Sequence, residues 1–398
     1  MTAAPQAPQA DYPLFDADNH YYEAEDAFTR HLDPRVGPRT VQWAQIDGRR
    51  YHVVGGRVSR AVSKPTFNPI AKPGAMCDYF RGNPNGVNPI ELLRDREPIR
   101  PEYLDRDARV KVMQEQGLEA IWLFPTLGVL YEELLKEDPE AVAMTFRAFN
   151  QWLYEDWGFA YRDRIFAAPY ISLAIVEEAV AELELALERG ARIVCIRPAA
   201  VHSRVGSKSP ADPAFDAFWS RVNEAGITVI VHAGDSGYNT QGYADDKFAA
   251  NFSGGGYRPS VRTWSIERAC QDFLATVMFD KLFERFPNVR MAAIENGSEY
   301  LPDLFRKLAS SAKRMPGYYK EDPVELFKRH VWINPFWEDD LHEVVDMMGA
   351  DRVIFGSDWP HIEGMPAPRD YLAELGGFSD ADVQRIVRDN ARELNTPQ

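Results

Sequence analysis

The sequence predicts an α/β fold of the (β/α)8, or TIM-barrel, class, with an inserted loop and hairpin region after the first strand. Three observations point there. Short apolar runs alternate with amphipathic helical patterns from about residue 102 onward, as in a parallel sheet covered by helices. Counting residues 14–20, eight such runs fall within 398 residues, the number and length of a barrel with insertions. Acidic and imidazole side chains close several of these runs, at the rim where such a barrel assembles its chemistry.

The first run, "FDADNHYYE" (15–23), places Asp16, Asp18 and His20 on one face by period-two alternation. Segment 101–117 carries Leu104, Val110 and Met113 near helical spacing and ends at Gly117. "EAIWLFP" (119–125) reads as a buried strand closed by proline, and 138–157, opened by Asp-Pro, as a helix. "IFAAPYISL" (165–173) is the third strand, 176–190 an amphipathic helix, and "RIVCIRP" (192–198) the fourth strand. Helix 214–226 leads to "ITVIVHAGD" (227–235), and the helical region 264–287 leads to "VRMAAIEN" (289–296). Helix 298–314 precedes "HVWINPFWE" (330–338), and helix 339–349 precedes "RVIFGSDWP" (352–360). The last helix has Ser379 as its N-cap and Asp382 in its first turn.

Between the first strand and the first helix, residues of about 34–100 form a Pro-, Gly- and Asn-rich insertion, with a hairpin turning on Asp47-Gly48. Such a segment is a lid, an oligomer contact or a surface excursion. Residues 1–13 read as a disordered leader, without the basic and apolar regions of a signal peptide, and 14–398 as one domain. Hydrophobic residues make up 45% and charged residues 26%, the balance of an ordinary globular protein, and no run approaches the ~18 apolar residues of a membrane span. A net charge of −15 argues against nucleic acid or an anionic membrane as partner and leaves a small-molecule substrate. The three cysteines, Cys77, Cys195 and Cys270, show no metal or disulfide spacing, which suits a reducing cytoplasm. A homodimer is the base-rate expectation for assembly, with a paralogous subunit as the alternative.

Which polar residues close the strands is the diagnostic point. Asp18 and His20 end the first, His232 the fifth, Glu295 the sixth and Asp358 the eighth, with His361 just beyond. One histidine after "VIV" reads as a core residue. A set of carboxylates and imidazoles converging on one rim is costly to bury unpaired, and a divalent metal resolves that cost most simply.

With these residues in view, the chain resembles the amidohydrolase superfamily, in its amidohydrolase-related branch of aminocarboxymuconate-semialdehyde decarboxylase-like proteins. "DADNHYYE", "VIVHAGD" and "VIFGSDWPHIEG" carry the resemblance, supported by "DRDARVKVMQEQGLEAIWLFP" and "IVRDNARELN". It implies a metal-dependent hydrolase or non-oxidative decarboxylase using a metal-activated water or a metal-bound substrate. Asp18, His20, His232, Glu295 and Asp358 are then the metal ligands. Asp358 is also proton acceptor, Glu295 a proton shuttle and His361 a substrate or Asp358 positioner. The branch often has His-x-His on the first strand and His on the sixth, where this chain has Asp18 and Glu295. Both exchanges harden the donor set, so Zn, Mn and Fe all remain candidates. Arg197 stands where some dinuclear members carry a bridging lysine, so one metal is favoured, with a second near Glu295, Glu338 or His361 as the alternative.

Substrate contacts are expected from Arg197, as a carboxylate anchor or half of a structural ion pair, and from Glu338 and Trp359. Tyr21, Tyr22, Trp264 and Phe336 are further aromatic candidates, Asp16 is a packing residue or a support behind the ligands, and "NFSGGGY" (251–257) is a gate without a phosphate role. The competing functions are an Fe or Fe/Mn oxygen-activating hydroxylase and a catalytically silent subunit.

Overall fold

Residues 8, 10–60, 62, 64–238 and 261–398 are described by a computed structural model of the chain. Residues 1–7 and 9 of the expected leader, and the whole 251–257 gate, lie outside them. The end of that leader is ordered, contrary to expectation: Arg369 donates to the carbonyls of Ala10 (2.5 Å) and Tyr12 (3.2 Å), and Ala10 is buried.

Seven parallel strands carry the architecture: β1 (Leu14–Tyr21), β2 (Leu118–Pro125), β3 (Ile165–Ala167), β4 (Ile193–Ile196), β5 (Thr228–His232), β6 (Arg290–Ile294) and β7 (Val331–Ile333). They form two parallel sheets, β1-β2-β3 and β7-β6-β5-β4. Burial is nearly continuous along them, as expected for strands covered on both faces. The two sheets meet at both edges. Beyond β3, Tyr170 bridges Cys195 of β4, with Ile171 N donating to Cys195 O (2.8 Å) and Cys195 N to Pro169 O (2.9 Å). On the other side, Val353 bridges Ile333 of β7, and Trp359 bridges Asn19 of β1.

Three strand expectations need correction in extent. The third stops at Ala167 because Pro169 has no N–H for a ladder, and the seventh spans only Val331–Ile333 before Pro335. The eighth, over 352–360, is no continuous strand. Ile354, Ala17 and His20 use ordinary ladder bonds across it, but Ser357 N donates instead to the Asp16 carboxylate (2.9 Å). A side chain therefore occupies the ladder position, and the β1 register shifts between Asp16 and Asn19.

Helices follow the strands and bury one face each. The helix Arg106–Glu115 is capped by the Asp105 carboxylate, and Pro139–Asp156 by that of Asp138. The expected 264–287 helix breaks after Phe279, where Lys281 takes a positive φ of 54°, and resumes at Leu282–Arg285. Ser379 caps the last helical region as expected, its hydroxyl accepting from Asp382 N. Between β1 and β2 the chain forms an antiparallel hairpin, Val41–Ile46 with Arg49–Val54, turning on Asp47-Gly48.

Candidate metal centre

The C-terminal ends of β1, β5 and β6 and of segment 353–358 converge. Asp18, His20, His232 and Glu295 offer ligand atoms that all lie within 4.8 Å of one another. His20 Nε2 stands 3.3 Å from Asp18 Oδ1, 3.7 Å from Glu295 Oε2 and 3.2 Å from Asp358 Oδ1. His232 Nε2 is 3.5 Å from both Asp18 Oδ1 and Glu295 Oε2. Asp18 Oδ1, His20 Nε2 and His232 Nε2 are fully buried and have no hydrogen-bond partner. Orphaned donor atoms facing one point are costly unless a cation joins them. His232 Nδ1 lies 2.8 Å from the Ala233 carbonyl, which can only accept, so the ring proton sits on Nδ1 and the Nε2 lone pair faces the cluster. The arrangement can hold a divalent cation on two imidazoles and a carboxylate-rich remainder.

Local backbone devices aim these groups. Glu295 and Asp358 both adopt left-handed φ, 56° and 55°, an uncommon conformation for non-glycine residues that turns each carboxylate back over the strand ends. Asn334 supports the first, its Oδ1 accepting from Glu295 N (3.1 Å) while its Nδ2 donates to Ile354 O (3.3 Å). Asp16 faces away from the cluster, accepting from Ser357 N, Ser357 Oγ (2.6 Å) and Asn19 Nδ2 (2.8 Å), and so ties β1 to the 353–359 segment. Gly356 is required there: a Cβ would land on that of Asp18. Behind β1, fully buried Arg109 donates to the carbonyls of His20 (2.6 Å) and Glu102 (2.7 Å) and to Asn19 Oδ1 (2.5 Å), fixing the backbone that carries both first-strand donors.

The electrostatics are those of competing charges. Burial alone would raise the Asp18 carboxyl, but the His20 and His232 imidazoles outweigh it and hold it at about 2. Burial and the neighbouring His361 push His20 down to about 3, which keeps it neutral as a ligand must be. Burial, then Asp358 and Asp18, push Glu295 well up; burial, then Glu363 and Asp18, do the same to Asp358. No lysine or arginine among the described residues pairs with Asp18, Glu295, Asp358 or Glu363.

The other expected residues divide. His361 joins the site, its Nδ1 2.7 Å from Asp358 Oδ1 and its ring 3.9 Å from that of His20. Arg197 does not: its buried guanidinium lies between Glu132 (3.2 Å) and Glu133 (2.7 Å) and donates to Asp235 O, which is the structural ion pair rather than the substrate anchor. Glu338 is exposed and outside the ligand cluster. Trp359 is buried against Tyr103 and under Arg109 (4.6 Å), so it packs rather than lining the site. Tyr21 is likewise core, stacked on Trp157, whereas Tyr22 reaches Phe67 of the insertion and lies 6.1 Å from His361. Trp264 is exposed, and Phe336 is half-buried against the Gly297 backbone. The insertion reaches the site-bearing turn, with Gly74 N donating to His361 O (3.0 Å) and Met76 N to Ile362 O (2.9 Å).

Four contributors were not expected from the sequence. Glu363 joins Glu295, Asp358 and His361 in a second cluster within 4.8 Å, and its place in "DWPHIEG" was the available signal. Phe124 packs 4.5 Å from His232, Thr126 lies 3.0 Å from His361 Nε2, and Arg109 acts from beneath; Arg109 and Phe124 lie within the segment 105–125 that resembles the family, but nothing in it singled them out.

Comparison with known proteins places this geometry. The amidohydrolase family pattern matches residues 90–394, and the chain belongs to that family and is an enzyme. A solved amidohydrolase from Mycobacterium avium subsp. paratuberculosis K-10 is 42% identical, with a TM-score of 0.91, over 98% of this chain and 100% of the other. The chain also shares its fold with a dihydroxybenzoic acid decarboxylase from Polaromonas sp. JS666, solved with manganese and 2-nitroresorcinol (19% identity, TM-score 0.60, 81% and 93% coverage). A 5-carboxyvanillate decarboxylase from Sphingomonas paucimobilis is similar at 15% identity and TM-score 0.57, over 98% and 100% of the two chains. No curated protein matches.

Proposed function

We propose that the parallel strands close as a (β/α)8 barrel and that the chain is a metal-dependent hydrolase or non-oxidative decarboxylase of a small, carboxylate-bearing organic substrate. The bridges at both sheet edges support the barrel. The three buried, partnerless donor atoms of Asp18, His20 and His232, facing Glu295 and Asp358, carry the functional reading.

Asp18, His20 and His232 would hold the cation, with Glu295 and Asp358 completing its surroundings. When bound, it supplies Lewis acidity at the strand ends. The chain's own groups do the rest. Asp358 takes and returns a proton at Oδ1, which lies 2.7 Å from His361 Nδ1. Glu295, raised by burial and then by its like-charged neighbours, is a second proton carrier in the same cluster. Phe124 and the strand walls exclude water from beneath, and the insertion, bonded to the backbone of His361 and Ile362, shapes the entrance.

Relatives solved with manganese, one of them with an aromatic inhibitor, favour the decarboxylase branch and a hard divalent ion. The carboxylate-rich donor set favours one second reading, an iron-dependent oxygen-activating enzyme. Purified protein, analysed for metal and incubated with aromatic carboxylates while CO2 release and O2 uptake are followed, separates the two. Stoichiometric Mn or Zn with CO2 release supports the proposal. Wild-type protein that holds no divalent metal after reloading would sink both readings.

A further inference from the structure

We propose that Glu23 and Thr126 are positioning residues for His361, fixing its ring with the proton on Nε2 and leaving Nδ1 to share a proton with Asp358 Oδ1. The inference rests on the proton role given to Asp358 above and extends it to two residues outside the expected site.

Glu23 closes the motif that supplies Asp18 and His20, and it is buried, 4% exposed, with no described lysine or arginine paired to it. Burial pushes its carboxyl up to about 7, so the position is costly for a carboxylate. Its Oε1 accepts from Leu127 N (2.7 Å) and Gly128 N (3.0 Å), at the start of the helix Gly128–Leu135, whose own N-cap residue supplies no side-chain bond. Capping alone needs only a Ser or Asp at position 127. A buried carboxylate brought from the neighbouring strand does more, because it ties the turn after β2 to the end of β1. Thr126 stands in that turn, directly after Pro125, which pairs in register with Tyr21.

The hydrogen bonds of Thr126 then decide the ring. Its hydroxyl has one hydrogen, which goes to the Tyr21 carbonyl at 2.8 Å, a group that can only accept. Thr126 Oγ1 therefore accepts from His361 Nε2, 3.0 Å away. Nδ1 lies on the other side of the ring, 2.7 Å from Asp358 Oδ1, and Gly74 N holds the His361 carbonyl at 3.0 Å. An imidazole beside a carboxylate ordinarily turns its N–H toward it; here the hydroxyl reverses that choice. When Asp358 has taken a proton, its O–H bond breaks as the Nδ1–H bond forms. The proton goes no further, because the Thr126 hydrogen is committed to a carbonyl, so His361 stores it and returns it to Asp358.

The test is the tautomer of His361, read by NMR of protein carrying nitrogen-15 histidine, stripped with chelator, reloaded with ZnCl2 and held at neutral pH. The His361 signals are those missing from His361→Gln. Wild type should show a protonated Nε2. In Thr126→Val the proton should move to Nδ1, shifting the Nε2 signal to the position of an unprotonated nitrogen, whereas Thr126→Ser should keep the wild-type pattern. Glu23→Ala, which frees the turn, should show the two tautomers mixed. Circular dichroism and melting curves check folding, and the Thr126 pair decides the matter if Glu23→Ala unfolds. An unprotonated Nε2 in wild type, or the wild-type pattern surviving in Thr126→Val or in folded Glu23→Ala, overturns the proposal. Zinc retained in those samples leaves the proposed function standing. Wild type that holds no zinc counts against that function instead, and its metal-free tautomer still decides the present inference.

Discussion

His52 ties the inserted hairpin to the body of the protein, and its neutrality can be titrated. It is buried between Trp43 (3.9 Å between ring centres) and Phe28, and its Nδ1 lies 2.6 Å from the hydroxyl of Tyr131, on the helix after β2. Burial, aided by the Arg50 charge, pushes its imidazole down from 6.5 to about 3. A folded value below the unfolded one means stability that is present above pH 6.5 and lost as the pH falls toward 3. At about 1.4 kcal/mol per pH unit, the loss attributable to His52 between pH 6.5 and 5 is about 2 kcal/mol, and at most about 5 kcal/mol over the full range. Other groups titrate in the same window, and Glu267, raised to about 7 by burial and by Asp339, acts in the opposite direction. The measurement is therefore a difference: urea unfolding of wild type and His52→Gln at pH 7 and pH 5. The stability gap between them should shrink by about 2 kcal/mol at the lower pH. Parallel pH dependences would show that His52 is hydrated in the native state and that the hairpin is not packed as described.

Further outcomes follow from the centre and its supports. Asp18→Ala and Asp358→Ala should each lose tightly bound metal by elemental analysis, whereas Arg197→Lys, which disturbs the Glu132–Glu133 pair and the bond to Asp235 O but no ligand, should retain it. Arg109→Met leaves two buried carbonyls and Asn19 Oδ1 without a donor, and should cost about 4 kcal/mol or more in denaturant unfolding, with weaker metal binding. Gly356→Ala puts a methyl against the Asp18 Cβ and 2.9 Å from Asn334 Nδ2; about 1–3 kcal/mol of destabilisation and a sharp loss of metal affinity are expected. Adding Mn at about a thousand times its dissociation constant should stabilise stripped wild type by about 4 kcal/mol in the same assay.

The four donors Asp18, His20, His232 and Asp358 were legible because a strand followed by a polar residue at its end is a local pattern, and several on parallel strands can only meet at one rim. The alternation of apolar runs with helices carried the α/β class for the same reason: it depends on periodicity within single segments. Arg197 shows where that reasoning stops. Its type and position at a strand end suit a substrate anchor, and only the approach of Glu132 and Glu133, from a helix more than sixty residues earlier in the chain, shows that its charge is already paired.

What remained for the tertiary structure was direction and pairing. Asp16 and Asp18 share a strand face by alternation, yet the bulge in β1 gives Asp16 to Ser357 and only Asp18 to the centre. The eighth strand looked regular in sequence and is not, because a carboxylate takes a ladder position. Thr126 and Arg109 enter through contacts between segments distant in sequence, where no spacing rule applies. Residue types near strand ends determine which groups can reach the rim. Backbone φ at Glu295 and Asp358, and the hydrogen committed to Ala233 O, decide which atoms face it.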